Sequence, residues 1–289
     1  MPLEALTRNE VLELSGSLVE LVGAGRRIAN IVIGRPPPEG SEAADDLAHA
    51  INANSDNGGP VRRAHEGMLF ATLAGWDHVR AVGNLLRSNH PITVATATTT
   101  RGAVEAFSRT HWMLDAGTTP ELVRRQLSIA IGDLEFYLKH TPDEPLRTVT
   151  GREINAPELR ETLLGFLAHH GLSQLSTKPT ILAREFLDAA LGGGALKYSR
   201  LSSVAHGESY SVHSFVDLDH LDENLVGLKL PRNIAIEYAG YLVVGGALIG
   251  NRLIDVFEPP LDERERWHAA KQRAIDRFQV IDRTRIPAP

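Results

Sequence analysis

The chain is 289 residues long, with no cysteine, 43% hydrophobic and 23% charged residues, and a formal net charge of -6. It is long and apolar enough to bury a sizeable core, which excludes a disulfide-stapled miniprotein and a globally disordered chain. The missing thiols exclude thiolate metal sites and a cysteine nucleophile, and the acidic balance excludes a sequence-wide positive field, so any nucleic-acid contact must be local.

From Thr7 to about Ile33, Val11, Leu14, Leu18, Leu21 and Val22 recur at three- and four-residue steps, the period of an amphipathic helix. Pro36, Pro37 and Pro38 stop it, because proline lacks an amide donor and forces extended geometry on its neighbours. A short helix is expected over Ser41 to Ala53, then a loop over Asn54 to Pro60. Helical spacing resumes from Val61 to about Arg87 and from Thr93 to about Leu114, joined by a turn at Asn89, His90 and Pro91. Short connections of this kind make antiparallel neighbours.

Thr119 opens a further helix, with Pro120 at its first position and Glu121 in its first turn, and it runs to about Lys139. His140 to Pro157 is polar and proline-bearing and reads as a loop. Glu158 to His170 is helical and ends at Gly171, Lys178 to Leu191 is helical and ends at Gly192, Gly193 and Gly194, and Ala195 to Gly207 follows. The most apolar stretch, Ile234 to Gly250, is interrupted by Glu237 and falls short of the roughly 20 apolar residues of a bilayer span. Its helix, about Pro231 to Val256, is expected to be a core helix whose small residues admit close neighbours, so no membrane partner is implied.

The tail from Asp262 to Arg285 interleaves acids and bases and reads as a solvated helix or partner-docking arm. No alternating strand pattern or internal repeat is present. The expected fold is all-α, a multi-helix bundle in three regions: residues 1–60 with the first helices and the proline-rich loop, 61–258 as the bundle core, and 259–289 as a charged helix and tail. The absence of cysteine, and an amino terminus without an export pattern, lead to the expectation of a cytoplasmic protein.

The stretch Lys197, Tyr198, Ser199, Arg200, Leu201, Ser202, Ser203, Val204, Ala205, His206, Gly207 packs a tyrosine, an arginine, three serines and a histidine against a helix-ending glycine. An imidazole with an ordinary pKa near 6.5 exchanges protons at neutral pH, and a guanidinium supplies permanent charge for a phosphate. The spacing of Arg200, Leu201, Ser202 and His206 resembles the motif of the HEPN superfamily of helical bundles. Its ribonuclease members carry an Arg, an apolar residue, a polar residue, three further residues and a His. Serine stands here where active members more often have Asn, Asp or His.

The resemblance covers about Val61 to Val256 and implies a HEPN-like core with extra terminal helices. It also implies a metal-independent endoribonuclease of a toxin or defence type, with no cofactor. The same resemblance implies a homodimer in which two copies of Arg200 and His206 face one cleft, an RNA substrate, and a protein antitoxin as a possible partner. In that assignment His206 is acid or base, Arg200 binds phosphate, and Tyr198 and Ser202 give polar support. A related likeness, to bacterial helical proteins with a Glu-bearing helix ahead of a Tyr, Ser, His, Gly segment, draws Glu105 towards the same place.

Geometry qualifies the motif. Six residues rotate a regular helix by about 240°, so Arg200 and His206 do not share a face, whereas Ser199, Ser202, Ser203 and His206 form one stripe. On the preceding helix, Arg101, Glu105, Ser108, Arg109 and Trp112 also recur at helical steps. If that stripe faces His206, Glu105 orients the imidazole and Arg101 or Arg109 holds the carboxylate; if it faces solvent, it is an ordinary salt-bridged surface. A catalytically silent bundle, in which the His206 segment fixes a helix junction or holds a ligand or partner, is the alternative. His65, Glu66, Asp77 and His78 lack the Glu-x-x-His spacing of a dinuclear carboxylate site, so no metal is expected.

Overall fold

The computed structural model describes residues 4–52, 59–88, 93–141, 145–147, 150–176, 178–213, 215–217 and 227–283. Among them are α1 (Arg8–Gly34), α2 (Glu42–Ala48), α3 (Gly59–Leu86), α4 (Thr93–Leu114), α5 (Thr119–His140) and α6 (Ala156–His169). The chain continues through α7 (Pro179–Leu191), α8 (Gly194–Ala205), α9 (Ser209–His213), α10 (Arg232–Phe257) and α11 (Leu261–Arg283). Among the described residues the strands are two minimal antiparallel pairs, β1 (Leu146–Arg147) with β2 (Glu153–Ile154) and β3 (Val216–Asp217) with β4 (Gly227–Leu228). The protein is an all-α multi-helix bundle, as its periodicity predicts. The turn expected at Asn89 to Pro91 lies outside the described residues, as do residues 54–58 of the loop expected over Asn54 to Pro60 and Ala53 at the end of the helix expected before it.

Local signals set the helix ends. Thr7 caps α1 through a reciprocal box in which its hydroxyl accepts from the Glu10 amide and the Glu10 carboxylate accepts from the Thr7 amide at 2.8 Å. Thr118 and Asn155 cap α5 and α6 in the same sense, each ahead of a proline in the first turn.

Side-chain contacts give the directions. On α3 and α4, Thr72 meets Thr110, Gly75 faces Phe107 and His78 lies over Gly102, so rising numbers on one helix meet falling numbers on the other. The same order relates α1 to α3, where Gly25 faces Trp76 and Ser15 accepts from Arg87, and α1 to α11, where Ser17 donates to the Ala274 carbonyl and Arg27 pairs with Glu263. These neighbours are antiparallel.

At the centre runs α10. Its most apolar window is long and apolar enough to span a membrane by composition, and 72% of it is buried inside the bundle, which makes it the core helix. Gly246 and Gly250 lie directly against the Trp76 and Trp267 rings, which pack edge to face 6.2 Å apart.

The main apolar cluster takes Leu14 and Leu18 from α1, Leu253 from α10, and Trp267 and Ala274 from α11. The core is therefore continuous across residues 60 and 258, where the sequence suggested regional boundaries. The charged tail likewise has one apolar face, with Trp267 and Ala274 fully buried, so α11 closes the bundle with that face and leaves most of its charges outside, while Glu263 is buried in its pair with Arg27. A smaller cluster, with Val123, Ile131, Leu163 and Leu167, joins α5 to α6.

The triple glycine has a steric cause at each position. Gly192 and Gly193 adopt φ of 69° and 66°, which L side chains resist, and a Cβ at Gly194 would lie 2.0 Å from the Arg184 carbonyl oxygen. The Gly194 amide donates to Asp188 at 3.1 Å, so α8 starts hard against α7 and is aimed back across α4.

Candidate functional site

α8 lies against α4, and their contact carries a polar chain of four side chains. Tyr198 projects from the buried face of α8, 2% exposed, and donates its hydroxyl to Glu105 Oε1 at 2.6 Å. The same oxygen accepts from Arg101 Nε at 2.7 Å, one helical turn earlier on α4. Arg101 Nη1 then reaches His206 Nε2 at 2.5 Å. The Arg101 guanidinium lies 5.8 Å from the Tyr198 ring centre, so the tyrosine contributes its face as well as its hydroxyl.

Helix termination puts His206 there. It is the C-cap of α8, donating its amide to the Ser202 carbonyl, and Gly207 at φ 69° turns the chain away. The imidazole stands exposed beside Arg101. A guanidinium carries only donors, so in this contact Nε2 is the acceptor.

Electrostatics hold the interior of the chain in fixed states. Burial pushes the Tyr198 phenol above its ordinary pKa, and the neighbouring Glu105 carboxylate adds to the rise. Partial burial opposes the charge on Arg101, but the hydrogen bond and charge of Glu105 outweigh it and keep the guanidinium protonated. Tyrosine therefore donates, carboxylate accepts, and arginine presents its free N–H groups outwards.

The other residues singled out in sequence are placed differently. Arg200 is exposed on another face of α8, forms no ion pair among the described residues, and has its electrostatic effect on Tyr241 of α10, which itself donates to Glu237. No contact joins Arg200 to His206 within the chain, in keeping with their angular separation. Arg109 lines a separate cavity with Phe70, Gln126 and Asp133 and takes no part in the chain around Glu105. Ser202 supplies the carbonyl that caps at His206, while Ser203 donates to the Arg200 carbonyl at 3.0 Å and accepts from Ser211 at 2.7 Å, tying α9 to α8.

The expectation that Glu105 orients the imidazole is thus modified: Arg101 holds the carboxylate, and Arg101 itself touches the ring. The signal for this pair is the four-residue Arg101–Glu105 step, legible in sequence. A second polar cluster was not singled out as a unit in sequence: Asp46 accepts from Thr119 at 2.6 Å and lies 3.4 Å from His65 Nε2. No local pattern links these three residues, because each comes from a different helix. Among the described residues no group of three or more His, Asp or Glu side chains is placed to hold a metal ion.

Comparison with protein-family models, with curated proteins and with solved structures gives no match to this chain.

Proposed function

We propose that this protein is a HEPN-like, metal-independent endoribonuclease of a toxin or defence type, working at the C-terminal end of α8. The observation that carries the reading is the exposed Arg101–His206 pair braced from behind by Glu105 and Tyr198. A guanidinium anchored through Nε beside an imidazole suits transesterification of RNA. His206 Nε2 takes the proton from a ribose 2′-hydroxyl, the resulting oxygen attacks phosphorus, and the bond to the 5′-oxygen breaks. Arg101 turns its N–H groups from the imidazole to the non-bridging oxygens, where negative charge grows. The leaving oxygen takes a proton from water or from the second His206 of a homodimer, giving a cyclic phosphate and a 5′-hydroxyl.

In this reading Arg200, exposed and without an ion pair among the described residues, binds flanking phosphate, and the local basic site acts despite the net acidic charge. A cytoplasmic setting and a protein antitoxin that covers the pair belong to the same proposal. The test is cleavage of a single-stranded RNA in the presence of a chelator by wild type, His206→Ala and Arg101→Ala, with circular dichroism to verify folding. Loss of cleavage in both folded variants is expected, and cleavage that persists in His206→Ala refutes the reading.

One observation favours a second reading, a silent scaffold: Tyr198, Glu105 and Arg101 satisfy one another without any ligand and bolt α8 to α4. That reading predicts no cleavage by wild type and a marked fall in Tm for Glu105→Ala.

A further inference from the structure

A cavity of about 360 Å³ opens between α2, α3, the turn from α4 to α5 and the end of α10. That volume falls in the range of small-molecule sites, roughly 300–1,000 Å³. Its wall has two chemistries. One side carries Glu42, Asp45 and Asp46 of α2; the other carries the apolar side chains of Met68, Met113 and Leu122. Among the described residues no lysine or arginine lines it.

The polar side is made of acceptors. Asp46 is held from two directions, by the Thr119 hydroxyl at 2.6 Å and by His65 Nε2 at 3.4 Å. His65 is 6% exposed, its ring edge-packed on Phe257 at 5.0 Å, and Nδ1 has no hydrogen-bond partner among the described residues. With Nε2–H given to Asp46, Nδ1 keeps its lone pair. Glu42 and Asp45 stand exposed at the mouth and form no ion pair among the described residues.

We propose that this cavity binds a small aliphatic ammonium ion of the size of putrescine. Its methylenes lie on Met68, Met113 and Leu122, and its N–H groups donate to Asp45 and Asp46. The acceptor-only polar side asks for a donor, the unpaired carboxylates ask for positive charge, and the thioether and leucine side chains ask for hydrocarbon. A divalent metal meets only part of this, since half of the wall offers it no ligand. An anion is repelled.

The test is isothermal titration calorimetry and thermal unfolding of the full chain with putrescine, n-butylamine, magnesium and the neutral diol isosteric with putrescine. Both amines are expected to bind saturably, more weakly as salt rises, and the diol not at all. Asp45→Asn should weaken putrescine by about tenfold, the loss of one charged hydrogen-bond partner, without moving the Tm of the free protein. Asp46→Asn weakens it further but also loosens Thr119, which makes Asp45→Asn the decisive variant. Three results each overturn the proposal: neither heat nor a rise in Tm at millimolar amine, equal binding of the diol, or magnesium displacing the amines at equal concentration. Unchanged affinity in Asp45→Asn overturns it as well.

Discussion

Arg101 of α4 and Tyr198 of α8 converge on a single oxygen: Glu105 Oε1 lies 2.7 Å from one donor and 2.6 Å from the other. One carboxylate thus joins two helices and sets the direction of a guanidinium whose far end touches His206. The tyrosine is the buried member of the pair and the arginine the one that reaches solvent, so stability and chemistry separate along this chain.

Removing only the hydroxyl should cost little. Tyr198→Phe deletes one hydrogen bond while Arg101 still satisfies Glu105, for a loss of about 1 kcal/mol, whereas Tyr198→Ala also empties a core position and costs about 3 kcal/mol or more. Urea unfolding of both variants measures the difference, and equal losses would contradict the assignment of the ring to the core.

Activity should rank the arginines by position. Arg101→Ala is expected to slow RNA cleavage by about 100-fold, as for the loss of a donor at developing charge. Arg200→Ala should act mainly through binding and lower the salt dependence of the RNA affinity by about one unit of slope. Arg109→Ala, which alters a cavity elsewhere, should leave cleavage rates unchanged. Single-turnover rates and salt titrations distinguish the three.

Stability should fall at both ends of the pH scale. Burial of His111, 5.7 Å from the Phe186 ring, holds its imidazole below the ordinary value of 6.5, so the unfolded chain binds the extra proton first. That contribution is complete above 6.5 and is lost as pH falls through the lower folded value. Burial pushes Tyr238 and Tyr241 above the ordinary phenol value of 10.0, with Glu237 adding to the rise, and their contribution is complete below 10.0 and lost as pH climbs towards the raised values. Melting temperature against pH, with His111→Leu flattening the acid arm and Tyr241→Phe the alkaline arm, checks both signs.

Two glycines in α-helices should respond to alanine in opposite directions. A Cβ on Gly250 would sit 2.1 Å from the fully buried Trp267 ring, so Gly250→Ala should destabilise by about 1–3 kcal/mol through overpacking. Gly23 has open space around the same atom, and Gly23→Ala should stabilise by up to about 1 kcal/mol through helix propensity. Denaturant midpoints of the two variants decide it.

Much of the fold follows from the residues themselves, because its signals are local. The period of Leu14, Leu18 and Leu21 makes α1, Thr118 and Pro120 start α5, and Gly207 ends α8; each acts within one or two turns of chain. The amphipathic face of α11 was less legible, since Trp267 and Ala274 are spread among so many charges that burial decides which stripe counts. At the candidate site, residue types and the Arg101–Glu105 step were readable, and so was the angular conflict between Arg200 and His206. Which arginine meets the imidazole was a tertiary decision: the backbone contact at Gly194 aims α8 across α4, and that crossing brings His206 to Arg101 while Arg200 stays exposed on another face. The cavity around Asp46, His65 and Thr119 was decided in the same way, because three helices must pack before their side chains share a space, and no spacing along one chain records an angle between two helices.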